Sequence, residues 1–285
     1  MAAGDSASLA FMDFAALHQA DVSMVNLENP VTIRGKKVPK PYNFRMHPRF
    51  LKAIKDAGIN VVSIANNHIF DYGREGFFDT ISYLDSAGIR RVGAGRNYAE
   101  AHAPAIVTIR GKKIGILAYY GGGEAPGAGM ASPGVARRDL GQVTADILKL
   151  HYTTRADYIV VNLHWGTENA RTPDESQRTF AHALIDAGAD AVIGHHPHVL
   201  QGIERYGNGV IVYSLGNFVF GGNSRSSYDT GLFQIRLTNN GPEYDFLPVR
   251  IEQWRASMMK GADSSAVVGR IRDLSAVFAQ SIFTH

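Results

Sequence analysis

The chain contains no cysteine. That excludes disulfides and thiolate metal sites, leaving histidine, carboxylate and amide side chains as the available ligands. It also lacks an apolar run of about 18 residues, so no membrane-spanning helix is expected. Residues 1–10 show no charged start followed by an apolar core, so no export signal is visible. Charged residues make up only 19% of the chain, the formal charge is +3, and no block of lysine and arginine exists. A nucleic-acid partner is therefore not expected, while anionic substrates remain compatible with the mild positive balance.

What is present describes a protein with one sizeable core. The 285 residues are 45% hydrophobic and include 30 glycines, which fits a single turn-rich domain over residues 1–285. Helical spacing predicts helices over 50–57, 76–87, 140–151, 173–187 and 265–283. Three of these close on Ala-Gly, at Ala57-Gly58, Ala87-Gly88 and Ala187-Gly188, and lead at once into apolar runs of strand length. That alternation indicates α/β layering. Residues 232–237 and 244–251 alternate like antiparallel strands, implying a mixed sheet or a second sheet. Residues 105–119 read as a hairpin, and the Gly-, Ala- and Pro-rich stretch 121–134 reads as a loose surface loop or lid.

The stretch Asn60–Gly73 is the most informative. It starts as a buried strand, Val-Val-Ser-Ile-Ala, and turns without transition into Asn66, Asn67, His68 and Asp71 before Gly73. In open α/β sheets the carboxyl edge of the strands is where ligands bind; a polar turn capping the next helix is the plainer reading. Other strand ends repeat the pattern. One strand runs into Asn26 and Glu28, another into His164-Trp-Gly-Thr-Glu168, another into His195-His196-Pro197-His198, and another into Ser214-Leu-Gly-Asn217. Five of the eleven histidines, His68, His164, His195, His196 and His198, directly follow an apolar strand.

Neighbouring parallel strands place their ends roughly 5 Å apart. Glu28, Asn67, His164, His196 and His198 are thus expected to converge on one or two divalent cations, for which neutral imidazole with carboxylate and amide oxygen is a suitable donor set. Cations so held lower the pKa of water and polarise phosphoryl or carbonyl oxygens. A histidine beside them, oriented by a carboxylate, can protonate a leaving oxygen; His68 with Asp71 fits that role. Metal-assisted hydrolysis is the expected reaction class.

Taken together, Asn26-Leu27-Glu28, Ala65-Asn66-Asn67-His68-x-x-Asp71-x-Gly73, Leu163-His164-Trp165-Gly166-x-Glu168, Gly194-His195-His196-Pro197-His198-Val-Leu-Gln201 and Tyr213-Ser214-Leu215-Gly216-Asn217-Phe218 resemble the CapA family. These are capsule or poly-γ-glutamate biosynthesis proteins of the calcineurin-like metallophosphatase superfamily. The resemblance covers about residues 20–250. It implies a four-layer αββα sandwich, α/β in class, with a dimetal site of Mn, Fe or Zn at the strand ends. It implies Glu28 as a bridging carboxylate, Asn67, His164 and His196 as ligands of one metal and His198 of the other. His68 resembles the proton donor and Asp71 its partner. Tyr42, Phe44, Arg45, Glu168, Gln201 and Asn217 are similar to cleft-lining, substrate-binding positions. An anionic polymer or phosphorylated small molecule as substrate, a membrane polymer-synthesis complex as partner and a cell-envelope location follow from the resemblance alone. The family pattern opens with a strand ending in Gly-Asp. Here Gly4-Asp5 has no strand before it, so that a truncated chain is expected, with Asp5 acting from an irregular segment or a missing metal position as alternatives. Two rivals to the hydrolase stand: a non-catalytic component of a polymer synthesis or export assembly, and a (β/α)₈ amidohydrolase-like enzyme, against which the late His-x-His and the antiparallel C-terminal strands argue.

Overall fold

The computed structural model describes residues 15–220 and 227–283. Asp5, which one alternative made a ligand acting from an irregular segment, lies outside the described residues. Among them the chain begins with α1 (Ala15–Gln19), β1 (Met24–Asn26), α2 (Leu51–Asp56), β2 (Val61–Ser63), α3 (Gly73–Ala87) and β3 (Arg90–Val92). Strands β1, β2 and β3 form a parallel sheet in that order. Val61 and Val62, neighbours that point to opposite faces, are both fully buried, as a parallel strand covered on both sides requires. Ile54 of α2 and Phe77, Ile81 and Leu84 of α3 belong to the same buried cluster. Helix α3 stops at Gly88, whose φ of 67° is the left-handed conformation that glycine adopts without steric cost.

Next come β4 (Ala94–Gly95), α4 (Tyr98–Ala101), β5 (Ala105–Ile109), β6 (Lys112–Tyr120), β7 (Gly134–Val135), α5 (Leu140–Lys149), β8 (Tyr158–His164), α6 (Glu175–Asp186), β9 (Ala191–His195), β10 (Ile203–Tyr206) and β11 (Gly209–Val212). A six-stranded sheet runs in the order β10-β11-β9-β8-β6-β5, parallel at its centre and antiparallel at both edges. Its two faces are distinguished by strand periodicity. Ile114, Ile116, Ala118, Tyr158, Ala191, Ile193, Val210 and Val212 face the core shared with the first sheet. The alternate residues Leu117, Tyr119, Val161, Leu163, Val192 and Ile211 pack with Val143 and Ile147 of α5 and Ala181 and Leu184 of α6. The order is therefore helices, sheet, sheet, helices: the four-layer αββα arrangement.

The chain ends with an antiparallel sheet of β12 (Ser227–Thr238), β13 (Gly241–Glu252) and β14 (Arg255–Met258), then α7 (Gly261–Ser275). Phe246, Val249 and Ile251 with Val267 and Ile271 extend the inter-sheet core.

Three expectations need correction. The last helix starts at Gly261 and stops at Ser275 instead of continuing to residue 283. Strands β10 and β14 add to the expected set; each is a short edge strand with polar residues and no apolar run to signal it. Residues 121–134 are not a loose loop: β7 pairs with β4, and the Arg137 guanidinium grips the carbonyls of Gly122 and Ala125.

Candidate metal centre at the strand ends

Two groups of side chains meet here, one from each sheet. Asn26 ends β1 and Glu28 follows it, and Asn67, His68 and Asp71 follow β2. His164 ends β8, while His196 and His198 follow β9. In β8, residues 158, 160, 162 and 164 share the face that looks toward the first sheet, so the strand's own period aims His164 into the gap between sheets. Beyond β9 the backbone bends sharply: His196 and His198 both have positive φ, 99° and 59°. Non-glycine residues in that region carry strain of about 1–3 kcal/mol each and cluster at functional sites.

The distances across the gap are short. Asn67 Oδ1 lies 2.9 Å from His164 Nε2. Glu28 Oε1 lies 3.7 Å from His164 Nε2 and 3.6 Å from His198 Nε2. The other Glu28 oxygen accepts from Asn26 Nδ2 at 2.9 Å, whereas buried Oε1 has no hydrogen-bond partner, and neither has buried His196 Nδ1. Orphaned buried polar atoms of this kind need an explanation, and these two carry lone pairs. The donor set fits a divalent cation. One ligand atom from each of Glu28, His164 and His196 lies within 4.8 Å of the others, and the same holds for Glu168, His196 and His198. A neutral imidazole offers one lone pair, so both groups cannot each hold an ion through neutral His196.

Electrostatics favour ligand forms for the imidazoles. Burial, with the neighbouring histidines adding to it, holds His164 well below the usual imidazole range. Burial alone takes His195 down to about 4, and burial followed by His198 lowers His196. These rings are neutral at physiological pH. Glu28 is shifted the other way, up to about 8, first by burial and then by the charge of Glu168. A cation would compensate both effects.

His68 is built as a separate unit. Its Nδ1 lies 2.7 Å from Asp71 Oδ2, which also accepts from Phe44 N at 2.6 Å. Lys40 Nζ sits 2.6 Å from Asp71 Oδ1, 3.0 Å from Asn67 O and 3.1 Å from His68 Nδ1. A carboxylate can only accept and an ammonium can only donate, so Nδ1–H donates to Asp71 and Lys40 pairs with the carboxylate, not the ring. Phe44 packs on the His68 ring at 4.3 Å. His198 is held likewise: its Nδ1 lies 2.7 Å from Asn217 Oδ1, which turns Nε2 toward Glu28.

Of the expected residues, Glu28, Asn67, His164, His196 and His198 are thus brought together, with His68 and Asp71 beside them. Asn217 positions His198. Glu168 is exposed and within ligand distance of His196 and His198, a placement beside the ligands where a substrate contact was expected. Arg45 is exposed on the same cavity as Glu28 and His198 and stacks 4.6 Å over Tyr72, and Tyr42 is 72% exposed. Gln201 does not face the cleft. It is fully buried and donates to Ala170 O at 2.8 Å, bracing the loop that carries Glu168. Neither Lys40 nor Asn66 has a role among the expectations from sequence. Asn66 Nδ2 donates to Leu27 O at 2.9 Å and to Asn26 Oδ1 at 3.2 Å, tying the two strand ends together.

Residues 7–222 match the family model described as bacterial capsule synthesis protein PGA_cap. The chain belongs to this family. It is 35% identical to the Bacillus anthracis capsule biosynthesis protein CapA over 83% of this chain and 60% of that one. It is 34% identical to the Bacillus subtilis PGA biosynthesis protein CapA over 88% and 66%. A Mycobacterium tuberculosis protein described as a probable polyglutamine synthesis accessory protein is 32% identical over 93% and 75%. The chain thus spans about three-fifths to two-thirds of the length of the two Bacillus relatives. Among solved structures, a hypothetical protein of Thermus thermophilus superimposes with a TM-score of 0.55 at 15% identity, over 90% of this chain and 94% of that one. A candidate 5'-nucleotidase of Staphylococcus aureus gives 0.51 at 13% identity over 79% and 44%. These likenesses show the fold alone, which is of the calcineurin-like metallophosphatase type.

Proposed function

We propose that this chain is a metal-dependent hydrolase acting in the synthesis of a capsule, poly-γ-glutamate or related cell-envelope polymer, on a phosphoester or a bond of the polymer or its precursor. The observation that carries the reading is Glu28 Oε1, buried, unpartnered and flanked by the Nε2 atoms of His164 and His198 at 3.7 and 3.6 Å. Glu28, Asn67, His164, His196 and His198, with Glu168 in reach of the last two, would hold one or two divalent cations. Such cations supply Lewis acidity, polarising a phosphoryl or carbonyl oxygen and lowering the pKa of water.

The remaining chemistry belongs to the chain's own residues. Asp71 fixes the His68 tautomer by accepting from Nδ1 at 2.7 Å, leaving Nε2 as the nitrogen that carries or delivers a proton. In the imidazolium form, Nδ1–H stays on Asp71 and the Nε2 proton passes to the leaving oxygen. Lys40 pairs with the other Asp71 oxygen at 2.6 Å, and Phe44 packs on the His68 ring. The names of the Bacillus relatives support the polymer; they do not choose the bond.

Elemental analysis for Mn, Fe and Zn, with assays on phosphomonoesters, phosphodiesters and γ-glutamyl amides, tests the reading on wild type, His68→Ala and His196→Ala. The expected result is metal lost in His196→Ala and retained in His68→Ala, with turnover reduced about 10²–10⁴-fold in the latter. Bound metal without turnover in the wild type would favour the non-catalytic component of a synthesis assembly; absence of both would refute the metal centre.

A further inference from the structure

Beside His198 lies a second, smaller cavity of about 290 Å³, which Glu28 does not line. Four separate parts of the chain build it: the loop after β8, the segment after β9, the start of β12, and α7. His198 lines both this cavity and the large inter-sheet one, so the pocket adjoins the candidate metal centre. Its floor is apolar, from Leu200 and Leu274, and its walls carry two guanidiniums, Arg171 and Arg270.

One of the two guanidiniums in this pocket is paired and the other is not. The one carboxylate in its lining is Asp229, which lies 2.9 Å from Arg250 Nε and 3.3 Å from Arg270 Nη2. Arg250 is also met by Asp263, whose Oδ2 lies 3.5 Å from Arg250 Nη1, so two carboxylates match Arg250 and Arg270, and the half-exposed Arg270 is paired with Asp229 alone. Arg171 is exposed and makes no hydrogen bond or ion pair with any described residue. A guanidinium presents a fork of donors matched to carboxylate and phosphate. Two of them around a small concave pocket next to a metal-ligand histidine point to an oxyanion.

We infer that Arg171 and Arg270 form an oxyanion subsite that holds a carboxylate of the substrate beside the scissile bond. This rests on the reading of the chain as acting on an acidic polymer, and it adds the group that recognises the polymer's charge. In a γ-linked glutamate chain every residue keeps a free α-carboxylate, so one residue away from the cleaved bond there is always a group for this pocket. The volume suits one such residue, being near the lower end of small-molecule sites. A phosphate group offers the same chemistry, and the arms below separate the two.

Calorimetric titration of the full chain with γ-linked tetraglutamate, its α-amidated counterpart and inorganic phosphate tests this. The proteins are wild type, Arg171→Glu, Arg171→Lys and the Arg171→Ala/Arg270→Ala double variant. Arg171 is on an exposed loop, so its variants fold, and metal content in each is checked by elemental analysis. The expected outcome is binding of the charged peptide and not the amidated one, weakened about tenfold or more by Arg171→Glu and by the double variant. Arg171→Lys keeps the charge but not the fork, so its affinity falls between those of wild type and Arg171→Glu, and metal content stays unchanged. Phosphate binding with the same arginine dependence, in place of the peptide, assigns the oxyanion as a phosphate. Equal affinity for charged and amidated peptides, no binding of either peptide or phosphate, or binding indifferent to Arg171→Glu and to the double variant, overturns the subsite. Titration needs no turnover. A wild type that binds through these arginines but hydrolyses nothing refutes the hydrolase and leaves the subsite standing; hydrolysis with unchanged KM in the variants does the reverse.

Discussion

Removing the Asp71 carboxylate tests how the proton-donor unit is built. Asp71 is completely buried and is engaged by Lys40 Nζ at 2.6 Å, Phe44 N at 2.6 Å and His68 Nδ1 at 2.7 Å. The Lys40 side chain is only 17% exposed. Asp71→Ala therefore strands one nearly buried ammonium and two donors together. Breaking a buried pair by deleting one partner costs about 3–5 kcal/mol, because the remaining charge is left uncompensated. In a protein of this size that is a fall in Tm of roughly 10 °C. Asp71→Asn keeps an acceptor for Phe44 N and loses only the charge, so a smaller cost of about 1–3 kcal/mol is expected. If the charge pairing is the cause, Lys40→Met in the Asp71→Asn background restores part of the loss, with a coupling of about 1 kcal/mol or more in the double-mutant cycle.

Scanning calorimetry in the presence of a chelator measures wild type, Asp71→Ala, Asp71→Asn, Lys40→Met and the Asp71→Asn/Lys40→Met double variant without interference from metal binding. Metal content, measured separately, is expected to be unchanged in Asp71→Asn, because Asp71 touches none of the candidate ligand atoms facing Glu28, while turnover falls. A loss below about 1 kcal/mol in Asp71→Ala, or additive single mutants, would show that Lys40 and Asp71 are not paired in solution and would remove the basis for the His68 tautomer.

Glu28, with its carboxyl pushed up to about 8, must give up a proton to bind a cation. Apparent metal affinity is expected to rise about tenfold per pH unit up to pH ~8 and then level off; a flat titration from pH 6 to 8 would exclude Glu28 as a ligand. The same shift has a stability sign. The folded pKa exceeds the ordinary 4.5, so this contribution to metal-free stability is full below about 4.5 and is lost as pH rises through about 8, which chelated thermal scans across that window would register. Asn217→Ala releases His198 Nδ1 and should weaken metal binding about 10–100-fold, as loss of ligand-orienting partners does; unchanged affinity in a metal titration would deny Asn217 that role. Gly194→Ala places a Cβ 1.9 Å from Tyr213 O and 2.5 Å from Trp165 Nε1. The obstacle is backbone on the paired strand, so a loss at the upper end of the usual 1–3 kcal/mol for overpacking is expected, and an unchanged Tm would contradict the packing of β9 against β11.

Much of the site was legible because each half announces itself locally. An apolar run of strand length that breaks into Asn-Asn-His or His-His-Pro-His can be read without knowing the fold, and strand period then decides which residues face the gap. The same logic explains what was missed. The position of Lys40 on Asp71 depends on a loop folding back over a residue distant in sequence, and a basic, proline-punctuated loop gives no periodic signal of where it lands. Gln201 sits among polar and histidine residues that favour a cleft reading, yet it is fully buried, because the loop after β8 closes over it. Edge strands β10 and β14 carry no apolar run because each pairs with only one strand; the outer edge of β10 is met by the C-terminal segment, Ile203 N donating to Ser275 Oγ and Arg205 N to Gln280 O.

The candidate centre depends on the packing between the sheets as much as on its own residues. Glu28 and Asn67 ride on the first sheet, and His164, His196 and His198 on the second, with no covalent tie shorter than the connecting elements. The 2.9 Å and 3.6–3.7 Å separations across the gap depend on how the two sheets sit against each other: Ile114, Ile116, Ile193 and Val212 of the second share one buried cluster with Val61, Val62 and Ile64 of the first region, and Ile114, Ile116 and Ile193 also line the large cavity. Interiors are close-packed, and a change of even one methylene is felt by the surroundings. A cavity-forming change such as Ile193→Val, two residues from His195 on the strand that feeds His196 and His198, is therefore expected to lower metal affinity more than an equally destabilising change at Ile81 on the outer helix. Comparing metal affinity at matched Tm loss separates the two, and equal effects would mean that the centre is held by its loops alone.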